Sequence, residues 1–153
     1  MTHIHIERAL GIPISAAWLE LADIAHHVDW MADALTIEFE TSQRRGPGTC
    51  FTCQTKVGPF RSRDRMEIIS WVEGASIGVR HRGLITGEGL LALRPGASDD
   101  ACSVSWTEEL HFRVFVGGAL TAYVAEPILT KLWHQNLSRF EDCARRRLES
   151  PGR

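Results

Sequence analysis

No apolar run in the 153 residues approaches the roughly 20 that a bilayer-spanning helix needs. The N-terminus, Met-Thr-His-Ile-His-Ile-Glu-Arg, lacks the basic start and apolar stretch of a secretory signal. Together these absences predict a cytoplasmic protein with no membrane span, whose four cysteines are reduced thiols. A dominant charge sign is missing too. The net charge is −2, which removes the electrostatic case for nucleic acid or an anionic membrane surface. Lysine is scarce, and arginine supplies nearly all the cationic residues. That bias reads as composition, with no function attached. There is no Ser-His-Asp order, phosphate-binding loop, dinucleotide fingerprint, heptad run or internal repeat, so no cofactor is expected.

What is present is a clear succession of periodicities. Residues 3–12 alternate, with Ile4 and Ile6 set against His3, His5 and Glu7, as in a half-buried strand. Pro13 breaks that strand. Ser15 is placed to cap a short helix carrying Trp18, Leu19 and Ala22, and Asp23 to cap a second with Ile24, His27 and Trp30. From about residue 34 the period becomes two, Leu35, Ile37 and Phe39 alternating with Thr36, Glu38 and Glu40. Gly46-Pro47-Gly48 and Gly58-Pro59 are turns between strands. Further strands are expected over about 60–73, 75–82, 86–94 and 101–112. In the last of these Cys102, Val104, Trp106, Glu108, Leu110 and Phe112 share one face.

After Gly117-Gly118 the pattern turns helical to about Leu148, with Leu120, Val124, Ile128, Leu132, Leu137, Phe140, Ala144 and Leu148 as its apolar stripe. Pro127 should kink that helix or restart it. Residues 1–149 form one expected domain and 150–153 a frayed end. One strand, two short helices, six strands and a long helix make an α+β fold with an antiparallel sheet. A single helix over a sheet leaves a gap that a ligand can fill.

The chain resembles the START-like SRPBCC superfamily, in particular its polyketide cyclase/dehydrase branch. The likeness spans roughly residues 4–149 and rests on order and spacing. Ile12-Pro13-Ile14-Ser15-Ala16-Ala17-Trp18 resembles the family's entry into its first helix, and Asp23 with Val28-Asp29-Trp30 its two short helices. Gly46-Pro47-Gly48-Thr49 resembles its glycine-rich hairpin. Val104-x-Trp106-x-Glu108-x-Leu110-x-Phe112 resembles its penultimate element, and Leu137-Ser138-Arg139-Phe140-Glu141 its closing helix. The resemblance implies a helix-grip fold: a curved antiparallel sheet wrapped around a long C-terminal helix, with a hydrophobic tunnel between them. Its members include polyketide cyclases, lipid and quinone carriers, hormone receptors and regulators of other proteins, so fold alone does not choose among functions.

Glu108 stands out because alternation places a carboxylate on the apolar face, where an unpaired charge is costly. It is either an acid–base or anchoring group, or a buried ion pair with Arg80 or Arg82, or turned outward by a bulge. His81 shares the phase of Ile77 and Val79, and with Glu108 would make a proton-transfer pair in an apolar cavity. The alternative leaves His81 at a strand end, bonded to solvent or backbone. The expected tunnel lining is Ile37, Phe39, Ile68, Val79, His81, Val104, Trp106, Glu108, Leu110, Tyr123, Ile128 and Leu132, with Trp30, Trp71 and Trp133 as further large side chains near it.

Cys50 and Cys53 stand three apart on a strand and so face opposite ways, which argues for structural thiols. His3, His5, His26 and His27 are expected to be exposed, and no metal site is expected. Arg61, Arg63 and Arg65 share one strand face, with Asp64 and nearby glutamates expected to compensate them. Three functions follow as expectations: binding of an apolar small molecule of polyketide, lipid or quinone type; a cyclase or dehydratase using His81 and Glu108; and a protein-interaction module with a filled interior. An open sheet edge would also allow a homodimer.

Overall fold

A computed structural model describes residues 1–112 and 118–150, the side chains of 118–124 excepted. The elements follow the sequence pattern closely: β1 (Thr2–Leu10), α1 (Ile14–Ala22), a 3-10 turn (Ile24–Asp29), β2 (Ala34–Phe39), β3 (Cys50–Val57), β4 (Phe60–Val72), β5 (Ser76–Arg82), β6 (Ile85–Pro95), β7 (Cys102–Phe112) and α2 (Gly118–Glu149). The seven strands form one sheet in the order β1-β7-β6-β5-β4-β3-β2, every neighbouring pair antiparallel. Hairpins connect β2 through β7 in series, and β1 closes onto β7, so β1 and β2 are the edges. This is the helix-grip arrangement.

One face of the sheet is buried against α2 and α1 because alternation puts its apolar residues there. Ile4, Ile6, Ile68, Ile77, Leu91, Leu93, Val104, Trp106 and Leu110 meet Trp133, Leu137, Phe140 and Ala144 of α2. The other face is polar and laced with exposed ion pairs: Arg63–Glu38, Arg65–Glu40, Arg80–Glu88 and Arg82–Glu67. Exposed pairs of this kind are screened by solvent and add little to stability.

The details correct several expectations. Helix α1 starts at Ile14, and Ser15 does not cap it. The Pro13 carbonyl instead accepts from the N–H groups of both Ala16 and Ala17 at 3.1 Å. Asp23 precedes the 3-10 turn without capping it by its side chain, because Arg147 of α2 takes that carboxylate at 3.0 Å and the buried Glu20 at 2.8 Å. Leu35 is exposed, not inward. The register shifts between Ala34 and Thr36, so Ala34 is buried in its place. Helix α2 is continuous through Pro127. No helix among the described residues is long and apolar enough to cross a membrane.

Tryptophan and glutamate tie the short helix to the sheet. The Trp18 indole, nearly buried, donates to Glu73 Oε1 at 3.0 Å, and Trp71 donates to Oε2 of the same carboxylate at 2.7 Å. The two rings meet edge-on at 5.4 Å. Asn136 of α2, fully buried, pins the turn ahead of β2. Its Oδ1 accepts from the Ala32 N–H at 3.0 Å, and its Nδ2 donates to Asp33 Oδ1 at 2.8 Å.

Candidate functional site

Strands β5, β6 and β7 run side by side, and their register brings three positions together. Gly89 of β6 lies opposite Val79 on one side and Glu108 on the other. A Cβ at Gly89 would overlap the Glu108 carboxylate, so the glycine is what lets that group lie flat on the sheet. Glu108 is 5% exposed, yet both its oxygens are bonded. The Trp106 indole N–H donates to Oε1 at 2.9 Å, and His81 Nε2 meets Oε2 at 3.1 Å. Arg80 and Arg82 take no part. Alternation sends them to the outer face, where they pair with Glu88 and Glu67 at 2.9 Å.

Burial alone would lower the pKa of His81. The hydrogen bond to Glu108, that carboxylate's charge and the charge of Asp64 together outweigh burial and raise it above 6.5. The pair is an arrangement able to give and take a proton beside an apolar volume.

That volume is a cavity of about 150 Å³ between the inner face of the sheet and the helical layer. Its walls are largely apolar, with Ile68, Ile77, Val79 and Leu91 below and Leu129 and Trp133 above. Trp106 and Trp133 stack, with ring centroids 4.8 Å apart and planes 12° from parallel. Of the residues expected at the site, Ile37, Ile68, Val79, His81, Trp106, Glu108 and Leu110 line this cavity.

Phe39, Val104, Ile128 and Leu132 do not line it. Phe39 packs on Phe51 near the end of β2, beneath the Arg44 guanidinium. Val104 sits one inward position beyond Trp106, paired with Leu93 in the closed core. Ile128 is 51% exposed, and Leu132 packs against the core from the flank. The reason is helical arithmetic. Positions 132 and 137 are five residues apart and diverge by about 140° at 3.6 residues per turn. The inward stripe is therefore Leu129, Trp133, Leu137, Phe140 and Ala144. Tyr123 lies outside the described side chains. Trp30, fully buried, stands behind the cavity wall with its edge against Trp106 and Phe140, and Trp71 packs on Trp18 as above.

Four further titratable residues on the cavity wall escape the sequence reading. The arginines around Asp64 group it with the outer face of β4, but its phase is that of Met66 and Ile68, and it is 3% exposed. Its Oδ1 accepts from the Leu84 N–H at 2.7 Å, and a Cβ at Gly83 would overlap the carboxylate. Asp33 faces the cavity from the turn before β2. Burial, opposed by the Asn136 hydrogen bond and assisted by the Glu108 charge, holds its carboxyl above the ordinary range. Cys53 faces the same space, its thiol pushed up by burial, while Cys50 points the other way.

His27 is the fourth, and it is buried where exposure was expected. Burial pushes its pKa down to about 4 against the hydrogen bond to the Leu21 carbonyl, which its Nε2 donates at 2.7 Å. The other early histidines are exposed: His26 pairs with Asp29 at 3.0 Å, His5 with Glu7 at 3.2 Å and His3 with Glu109 at 3.6 Å. Among the described residues, no group of three or more His, Cys, Asp or Glu is placed to hold a metal ion.

No family model and no curated protein matches the chain. Solved structures do. TTHA0849 from Thermus thermophilus superposes with a TM-score of 0.80 at 14% identity, over 93% of this chain and 96% of that one. The Zhui aromatase/cyclase from a Streptomyces species gives 0.76 at 15%, over 98% and 97%. Norcoclaurine synthase from Thalictrum flavum, in complex with dopamine and hydroxybenzaldehyde, gives 0.68 at 15%, over 93% and 85%. At these identities the likeness establishes a fold, the helix-grip fold that the strand order and the long C-terminal helix display.

Proposed function

We propose that this chain binds an apolar small molecule in the cavity between the sheet and α2, oriented by His81 and Glu108. The observation that carries the reading is a void of about 150 Å³ with mostly apolar walls, onto which a bonded His–Glu pair opens. A stable protein would ordinarily fill such a space, since packed interiors leave few voids larger than a water molecule. An apolar cavity of this size is large enough for one benzene-like ring. It is smaller than the roughly 300–1,000 Å³ of drug-sized sites. A ring-sized part of a polyketide or quinone fits, and a longer lipid or polyketide would require the walls to part. Of the fold neighbours, an aromatase/cyclase and a synthase crystallised with dopamine and hydroxybenzaldehyde are in keeping with aromatic ligands. The reading places the protein in the cytoplasm, where its four free thiols stay reduced.

A second reading is favoured by the same pair. His81 and Glu108 at 3.1 Å suit acid–base work on a polyketone, as in ring closure followed by dehydration. Under it, Glu108→Gln keeps ligand binding and loses turnover. The interaction-module reading expected a filled interior, and a void of about 150 Å³ stays below the roughly 300 Å³ that would count against it.

Titration with phenol, followed by tryptophan emission, tests the binding reading. The stacked Trp106 and Trp133 should report a saturable change with Kd below about 1 mM. Filling the cavity with Val79→Trp should weaken it at least about tenfold. A linear, unsaturable response, or one unaffected by Val79→Trp, would overturn the reading.

A further inference from the structure

The charge on the cavity wall is unbalanced. Its described lining contains three carboxylates, Asp33, Asp64 and Glu108, and two imidazoles, His27 and His81, with no lysine or arginine. His27 is neutral at pH 7, since burial holds its pKa near 4. His81 and Glu108 satisfy each other at 3.1 Å. Among the described residues, Asp33 and Asp64 are left facing the void without a cation in contact. The arginines on the flanking positions of β4 point to the outer face, where Arg63 and Arg65 are engaged by Glu38 and Glu40.

Asp64 is the more telling of the two. It is only 3% exposed, its Oδ1 is held by one backbone N–H, and among the described residues nothing donates to its Oδ2. Glycine at position 83 makes the room this carboxylate occupies. The two aspartates stand close enough that both charges act on the Cys53 thiol, after burial, to keep it protonated. A buried carboxylate with an open oxygen and no cation is costly unless something donates to it. No described protein group does, so this oxygen is open to a donor that enters the cavity.

We propose that the cavity selects organic cations: a single-ring amine whose ring fills the apolar volume and whose ammonium group donates to the free oxygen of Asp64, with the Asp33 carboxyl facing the same space. The inference rests on the ligand-binding reading above and sharpens it, from any apolar molecule to an aromatic amine. It equally predicts exclusion of organic acids, whose carboxylates would meet the Asp64 carboxylate with no lysine or arginine on the described lining to offset it.

The test is an NMR titration of the wild-type chain with three compounds of matched shape: benzylamine, benzyl alcohol and benzoate. Benzylamine should bind at least about tenfold more tightly than benzyl alcohol, because charge-assisted hydrogen bonds are about twice as strong as neutral ones. Benzoate should not saturate. Asp64→Asn should shrink the amine-over-alcohol ratio at least about fivefold, since the amide keeps an acceptor for Leu84 and loses the charge. If benzyl alcohol matches or beats benzylamine, or benzoate binds best, the cation inference fails and the cavity reading survives. If none of the three saturates, both fail. An unchanged ratio in Asp64→Asn would remove Asp64 from the proposal. Should that variant not fold, the wild-type ranking still decides.

Discussion

His27 should make the fold acid-labile in a way that one substitution can isolate. The imidazole sits on the cavity wall, 7% exposed, with Nε2 donating to the Leu21 carbonyl at 2.7 Å and its ring tilted against Trp30 at 4.9 Å. Burial is the largest influence on it. The backbone bond and the Asp23 charge oppose burial without cancelling it, and the pKa falls from 6.5 to about 4. The folded state therefore resists a proton that the unfolded chain accepts. Above pH 6.5 neither state is protonated and the fold keeps its full stability. As the pH falls from 6.5 towards 4 the unfolded state gains the proton first and stability drops, levelling off below about 4.

At about 1.4 kcal/mol per pH unit, that window is worth roughly 3 kcal/mol, a large share of a small domain's total. The assay is urea unfolding from pH 7 to pH 4 of the wild type and of His27→Gln. The glutamine amide can still donate to Leu21 and does not titrate. The pairs of Arg147 with Glu20 and Asp23 are present in both proteins. The wild type should lose about 3 kcal/mol more than the variant across the range. Parallel pH profiles would refute the reasoning.

Two further outcomes follow from the same packing. In NMR titrations His81 should ionise above 6.5 in the wild type, and its pKa should fall in Glu108→Gln, because burial then opposes the imidazolium with only Asp64 to support it; an unmoved pKa would deny the coupling. Arg147→Ala should destabilise the fold by roughly 2–3 kcal/mol by thermal or urea unfolding, since it strips the partner from Glu20, which is only 3% exposed. A loss within about 0.5 kcal/mol, typical of a surface site, would contradict that.

The fold was legible because its signals are local and repeated. The alternation of β7 from Cys102 to Phe112 defines its buried face almost unaided, and it carried Glu108 into the interior correctly. His81 was legible by the same phase. Reading Asp64 by phase rather than by its arginine neighbours would have placed it beside Met66 and Ile68. His27 and Asp33 gave no such signal. They come to the cavity through the 3-10 turn and the contact of Asn136 with residues 32 and 33, a pairing more than 100 residues distant in sequence. The stripe of α2 is misphased before Leu137 because apolar positions at spacing four look continuous with it. The packing instead follows Trp133 and Leu129. Gly89 was an available clue, since an isolated glycine inside a strand marks a close approach, here of the Glu108 carboxylate.

The central claim, that this cavity holds an apolar ligand, is tested most directly by native mass spectrometry of the freshly isolated protein before and after organic extraction. The account predicts a discrete small-molecule adduct that extraction removes, leaving the mass of the chain. The mass of the chain alone, identical before and after extraction, would contradict it.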